Sequence, residues 1–422
     1  MKLEILKQYW YSSISKVYNT QYMAWWKFRD FLIPFATVAL ILIASAAVIG
    51  YGRGYRINFK KTSLTPTGLL SVTSDPVGSQ VYVEGKLKTA TNNSINLEPN
   101  WYTIRMTKEG YLPWEKKLRV QGEVVSRADA YLFPTNPSLS PLTTIGIESP
   151  VLSTDGTKIA YRVPARHLDG ASKKEGLWVY ELAEGPLGRN RDPQQVATPD
   201  PMFDFTTATI TWSPDSTQLL VIAKSGAAKL YRTGRLDNFQ DASITYRQTL
   251  KEWLEEATTR ERQKLAGFSQ PIIDIATTSA KIVAFSPDET KILYEATASA
   301  TIPTVIDPPL LGVNATPETR TIEPGKLYVY DSHEDKNFFV LNKNEVFPGG
   351  ISWHPTNRHL ILALQGKIDV MEYDRTNWIT VYSGPFMERF VAPWPNGSRL
   401  VVLTNLNATA TNLPNLYTVN LR

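Results

Sequence analysis

The run Trp212-Ser213-Pro214-Asp215-Ser216-Thr217-Gln218-Leu219-Leu220 decides the fold, because the chain repeats it. It reads as an aromatic strand end, a Pro/Asp turn and an apolar strand. The same pattern returns at Ser153-Thr154-Asp155-Gly156-Thr157-Lys158-Ile159-Ala160-Tyr161 and at Phe285-Ser286-Pro287-Asp288-Glu289-Thr290-Lys291-Ile292-Leu293-Tyr294. It recurs in Trp353-His354-Pro355-Thr356-Asn357-Arg358-His359-Leu360-Ile361 and in Trp394-Pro395-Asn396-Gly397-Ser398-Arg399-Leu400-Val401. Each copy is followed by another apolar strand, of which Leu327-Tyr328-Val329-Tyr330-Asp331 is the fullest. Five copies of one hairpin-rich unit point to small sheets that bury their faces only against neighbouring copies.

Outward from the turns, the aligned positions are 154, 214, 287, 355 and 395, giving spacings of 60, 73, 68 and 40. One propeller blade takes roughly 40–45 residues, so each of the first three intervals holds an insertion. The first carries polar loops around 164–176 and 183–193. The second holds a helical stretch at about 240–266, where Leu250, Trp253, Leu254, Ala257 and Leu265 keep helical spacing beside charged faces. The third is a proline-rich loop, 299–325.

The repeat resembles the TolB-type (WD-like) propeller repeat, whose turn reads S-P-D-G-x-x-I-x-Y. Repeat one lacks the proline, repeat four the Asp-Gly, and repeat five shifts the aromatic by one. The resemblance covers 135–422 and implies a rigid, often envelope-associated interaction platform. The expectation is a β-propeller of five blades, with six as the alternative. The last repeat wants an outer strand, which residues 138–147 are placed to supply.

Before the repeats, residues 66–134 alternate short strands with turn residues, the pattern of a small antiparallel β-sandwich. Four stretches carry a resemblance to the PEGA domain family: Ser74-Asp75-Pro76-Val77-Gly78-Ser79, Val81-Tyr82-Val83-Glu84-Gly85, Pro99-Asn100-Trp101-Tyr102 and Lys108-Glu109-Gly110-Tyr111. Departures are Val77, Ser79, Asn100 and the missing Thr-Pro after Thr91. The resemblance implies an extracytoplasmic module for binding or spacing, without catalysis.

Further upstream, residues 31–51 read FLIPFATVALILIASAAVIGY, uncharged throughout. A helix of that length rises about 30 Å, the thickness of a bilayer's hydrocarbon core. Trp25, Trp26, Lys27 and Arg29 flank one end, and Tyr51, Arg53 and Arg56 the other, as membrane-interface residues do. The length of the preceding segment, 1–30, favours a retained anchor over a cleaved signal peptide. A short N-terminal segment and a large C-terminal body suit a cytoplasmic N-terminus and an extracytoplasmic body. Residues 1–30 allow either an interfacial amphipathic helix or a partly ordered tail.

The net charge of +5 sits at this end. Residues 1–61 carry +7 and the remaining 361 carry −2, so the body lacks the basic surface that holds a nucleic acid. The absence of cysteine excludes disulfides, thiolate metal sites and cysteine nucleophiles. Four histidines, His167, His333, His354 and His359, leave little imidazole chemistry. Asp155, Asp215 and Asp288 sit where a turn needs a backbone acceptor. Asp331-Ser332-His333-Glu334-Asp335 lacks the Gly and distant Glu of a calcium loop. No G-x-S-x-G elbow, H-E-x-x-H pair or phosphate loop is present.

No catalytic residue, cofactor or metal is therefore expected. The expected role is a single-pass, membrane-anchored binding or scaffolding protein of the cell envelope. Its partners would be the lipid bilayer and a protein or glycan ligand. Leu250, Trp253 and Leu254 are the candidate partner-docking residues, weighed against a helix packed on its own propeller. Two alternatives are a sensor relaying binding across the membrane and a lyase or hydrolase using a central propeller site.

Overall fold

The computed structural model describes residues 32–52, 55–58, 63–164, 175–184, 191–310, 312, 314–347, 349–387, 390–406 and 413–422. The expected polar loops fall mostly at 165–174 and 185–190, outside the described residues. The chain divides into two compact units. One comprises Met1–Val72, Asn93–Trp101 and Arg119–Ala128; the other comprises Thr73–Asn92, Tyr102–Leu118 and Asp129–Arg422.

In the first unit the apolar run forms helix α1, Leu32–Gly52, with none of its span buried against protein. A helix bare of packing on every side is long and apolar enough to cross a bilayer. Two short strands follow, Tyr55–Asn58 and Ser63–Pro66, paired antiparallel. Residues 68–72 pair with Asn93–Leu97. Gly68 lies against the Gln121 carbonyl so closely that any Cβ would collide with it.

Most of a four-stranded sheet ordered Lys86–Ala90, Gln80–Val83, Asn100–Thr107, Trp114–Val120 falls in the second unit. The strands Lys86–Ala90, Asn93–Leu97 and Val125–Tyr131 were not singled out in the sequence: polar residues dominate the first two, and the third alternates only through small Ser126, Ala128 and Ala130. The turn at 74–79 is held by hydroxyls. Thr91 Oγ1 accepts from the Gly78 and Ser79 amides at 3.0 Å each, and Ser74 Oγ donates to Ser79 Oγ at 2.9 Å. Ser79, a departure from the family pattern, is thus built into a buried polar knot.

The repeats form five four-stranded antiparallel sheets among the described residues. Sheets one to four begin with Glu148–Leu152, Thr209–Trp212, Ala280–Phe285 and Ile351–Trp353. Sheet five combines Val391–Pro393, Arg399–Thr404 and Asn415–Asn420 with Leu139–Pro141, which pairs Leu139 with Val419 and Pro141 with Tyr417. The segment expected to supply the missing strand does so.

Buried clusters join the sheets in sequence. Trp212 and Leu219 pack with Leu177 and Ala160, uniting sheets one and two. Trp353 and Leu360 pack with Leu293 and Leu327, uniting three and four. Ile361 and Val370 meet Leu400 and Val419 between four and five, and Trp394 meets Tyr161 between five and one.

The helical insertion differs from its expected bounds. It is two helices, α2 (Tyr246–Leu265) and α3 (Gln270–Thr278), and residues 239–241 belong to the last strand of sheet two. Ala266-Gly267-Phe268 interrupts the helix, and Pro271 in the first turn of α3 restarts it, where a missing N–H costs little. Tyr246, Leu250 and Trp253 pack on Leu220, Ala228 and Ala242 of sheet two. Leu265, Phe268 and Ile272 pack on Ile292, Tyr328 and Tyr330 of sheet three. The helices therefore bridge these two sheets. Arg260 donates to the Pro214 carbonyl at 2.7 Å, and Lys264 pairs with Glu289 at 3.0 Å.

Candidate functional site

Antiparallel order gives every sheet two distinct ends. One, the turn end, carries the first-to-second and third-to-fourth turns; the opposite end carries the second-to-third loops and the crossovers to the next sheet. The repeated acids belong to the turn end and are consumed there. Asp215 accepts from Ser213 Oγ at 2.6 Å, Thr217 N at 3.1 Å and Thr217 Oγ1 at 2.8 Å. Asp155 and Asp288 repeat this with Ser153/Thr157 and Ser286/Thr290. Burial works against each of these carboxylates, yet the donated hydrogen bonds hold Asp155 and Asp288 below the ordinary aspartate value. Their geometry is that of turn acceptors.

The turn ends of sheets four and five are also occupied from within the second unit. Arg358 pairs with Asp129 at 2.8 Å, and Tyr131 donates to the Gly397 carbonyl at 3.1 Å. His354 and His359 lie against the Tyr131 and Phe133 rings. Burial pushes both imidazoles down to about 3, so they are neutral packing groups at ordinary pH. Lys116 of strand Trp114–Val120 enters the turn of sheet four between Glu372 and Asp374.

The crossover ends carry two cavities. The larger, about 1200 Å³, opens between sheets three and four. Lys281 and Val283 of the first strand of sheet three line it, with Glu295 and Asn342 from the ends of its second and fourth strands and Lys343 and Phe347 from the crossover beyond. Val283 is the extra residue of a bulge between Ile282 and Ala284 and is 40% exposed. Lys343 reaches Glu295 at 2.6 Å, and Glu345 accepts from Asn342 Nδ2 at 2.8 Å. The smaller cavity, about 290 Å³, lies between sheets one and two and is lined by Arg162, Phe203, Phe205 and Asp204. Buried Arg162 lines it, donating to the Phe205 carbonyl and to Ser149 Oγ at 2.9 Å. A drug-sized ligand needs ~300–1000 Å³, so the larger cleft has room for an extended chain. Neither cleft was marked in the sequence.

Of the expected docking residues, Leu250 and Trp253 are spent on sheet two, while Leu254 faces outward at 68% exposure. Of the expected membrane-interface residues, Trp25, Trp26, Lys27, Arg29 and Arg53 lie outside the described residues. Tyr51 sits exposed in the last turn of α1, and Arg56 falls in the strand Tyr55–Asn58. No grouping of three or more His, Asp or Glu fit to hold a metal ion occurs among the described residues.

Comparison with known proteins identifies residues 67–135 as a PEGA domain. A search of curated protein sequences returns no match. Among solved structures the chain is similar to a TolB of Agrobacterium tumefaciens at 14% identity, over 64% of this chain and 73% of that one, with a TM-score of 0.22. It is similar to TolB from Acinetobacter baumannii at 12% identity, over 76% and 59%, with a TM-score of 0.21. A chain of a mitotic checkpoint complex matches at 11% identity, over 70% and 99%, with a TM-score of 0.30. Superpositions this loose establish neither a blade count nor a function.

Proposed function

We propose that this PEGA-bearing chain is a membrane-tethered, non-catalytic binding or scaffolding protein of the cell envelope. Its five sheets act as a five-bladed propeller, with α2 and α3 bridging sheets two and three. Contacts between sheets five and one, one and two, three and four, and four and five support that reading. So does the sharing of sheet five between residues 139–141 and 391–420. The bare, apolar α1 supplies the tether.

The observation that carries the binding role is the contrast between the ends of the sheets. The turn ends of sheets four and five are filled by the chain's own residues, whereas the crossover ends of sheets three and four open the large cleft. The ligand is a protein or glycan strand held along Lys281, Val283 and Phe347.

The absence of native cysteine makes the test clean. Ser225→Cys, in an exposed hairpin of sheet two, should react with a membrane-impermeant maleimide on intact cells. Ser13→Cys should react only after permeabilisation. The reverse pattern overturns the topology. A photo-cross-linker at position 283 should capture an envelope component that one at position 225 does not; equal capture at both overturns the cleft.

A further inference from the structure

One buried charge cluster is not used by the binding role. Lys116 Nζ lies 2.5 Å from Glu372 Oε2 and 2.7 Å from Asp374 Oδ2, with side-chain exposures of 11%, 6% and 0%. Every carboxylate oxygen has a further donor. Trp114 Nε1 and Asn377 Nδ2 donate to Glu372 Oε1 at 2.5 and 2.9 Å. Asn314 Nδ2 donates to Asp374 Oδ2 at 2.5 Å, and Thr376 Oγ1 to Asp374 Oδ1 at 2.6 Å. Burial alone would lower the Lys116 pKa, but the two carboxylates raise it above the ordinary lysine value. Asp374 is held below the ordinary aspartate value by Lys116 against its own burial.

The donors come from three distant places in the chain: strand Trp114–Val120, the proline-rich segment and the third-to-fourth turn of sheet four. The proline-rich segment is a strap. It leaves sheet three at its crossover end, where Ala300–Thr301 pairs with Thr321–Ile322. It runs along the outer strand, where the Thr319 amide donates to the Asn337 carbonyl at 2.7 Å. At the turn end Asn314 bridges Leu118, and the Ala315 amide donates to the Lys117 carbonyl at 3.3 Å.

Burying three charges costs several kcal/mol per ion before their attraction is counted, so a buried triad is poor value as a stabiliser. It is, however, fully satisfied in this arrangement, by donors that only this return of three distant segments brings together. We propose that the Lys116–Glu372–Asp374 triad and the strap form an orientation lock. It makes residues 114–118, 314–316 and 372–377 one rigid piece, holding the Trp114–Leu118 stretch in one orientation against the turn end of sheet four.

Hydrogen exchange on the full-length chain in nanodiscs tests this. In Lys116→Met, exchange at 314–316 and 372–377 should rise at least about tenfold, with 177–180 of sheet one unchanged. Because a single change strands two buried carboxylates, a second variant, Lys116→Met/Glu372→Gln/Asp374→Asn, removes all charge. It should keep a melting temperature near wild type while 314–316 still exchanges fast. Wild-type protection of the strap in the triple variant overturns the lock, as does a rise spread evenly over all five sheets in the single variant.

Discussion

The indole Nε1 of Trp212 donates to the Val151 carbonyl at 3.0 Å, so the first residue of the repeated turn in sheet two is fastened to the first strand of sheet one. Trp353 repeats the contact to Ala284 at 3.4 Å, from sheet four to sheet three. The tryptophan that marks the repeat in the sequence thus joins sheets as well as ending a strand. Trp212→Phe keeps an aromatic ring but removes the donor and part of the buried indole, leaving the Val151 carbonyl without this partner and a small void. Urea unfolding should show a loss of about 1–2 kcal/mol, and an unchanged midpoint would show the bond to be idle.

Gly397 occupies a tight turn position. Its φ is +73°, and a Cβ there would stand 2.7 Å from His354 Cε1. Gly397→Ala should therefore cost about 1–3 kcal/mol from left-handed strain and the clash. Gly366, also at positive φ with open space around it, should lose less on the same change, and calorimetry of both separates clash from strain.

His354 and His359 predict a pH dependence. Burial lowers both to about 3 from the ordinary 6.5. Between those values the unfolded chain binds protons that the folded chain refuses. Stability therefore falls as pH falls, by about 1.4 kcal/mol per pH unit for each histidine. The aspartates held below their ordinary 3.8 begin to contribute about one pH unit above it, so the window from pH 6 to 5 is the one the histidines dominate. Replacing His359, whose Nε2 has no partner, by Leu should halve the slope of the unfolding midpoint against pH there; an unchanged slope would exclude it as the titrating group.

On α2 the two sides should behave oppositely. Trp253→Ala removes packing on Leu220 and Ala228 and should cost about 2 kcal/mol. Leu254→Lys should leave stability within about 0.5 kcal/mol. If α2 docks a partner, Leu254→Lys should abolish its co-purification without moving the melting temperature.

Much of this was legible along the chain. Alternation, Pro/Asp/Gly turns and the five repeats are local signals, set by side-chain period and turn chemistry over a few residues. So is the apolar run that becomes α1, and counting strands was enough to assign 138–147 to the last sheet. The helical insertion was legible as helix up to about 266, but the second helix beyond Gly267 was not, being short and opened by Pro271.

The destinations were not legible. That Lys116 meets Asp374, that the 299–325 segment runs from one end of sheet three to the other, and that Leu250 and Trp253 are spent on sheet two are facts about where distant segments return. The sequence by itself determined the strands, their turns and the number of repeats, since these depend on neighbours in the chain. Only the tertiary structure decided which charges are buried together and which ends of the sheets stay open, because burial and ion pairing depend on neighbours in space.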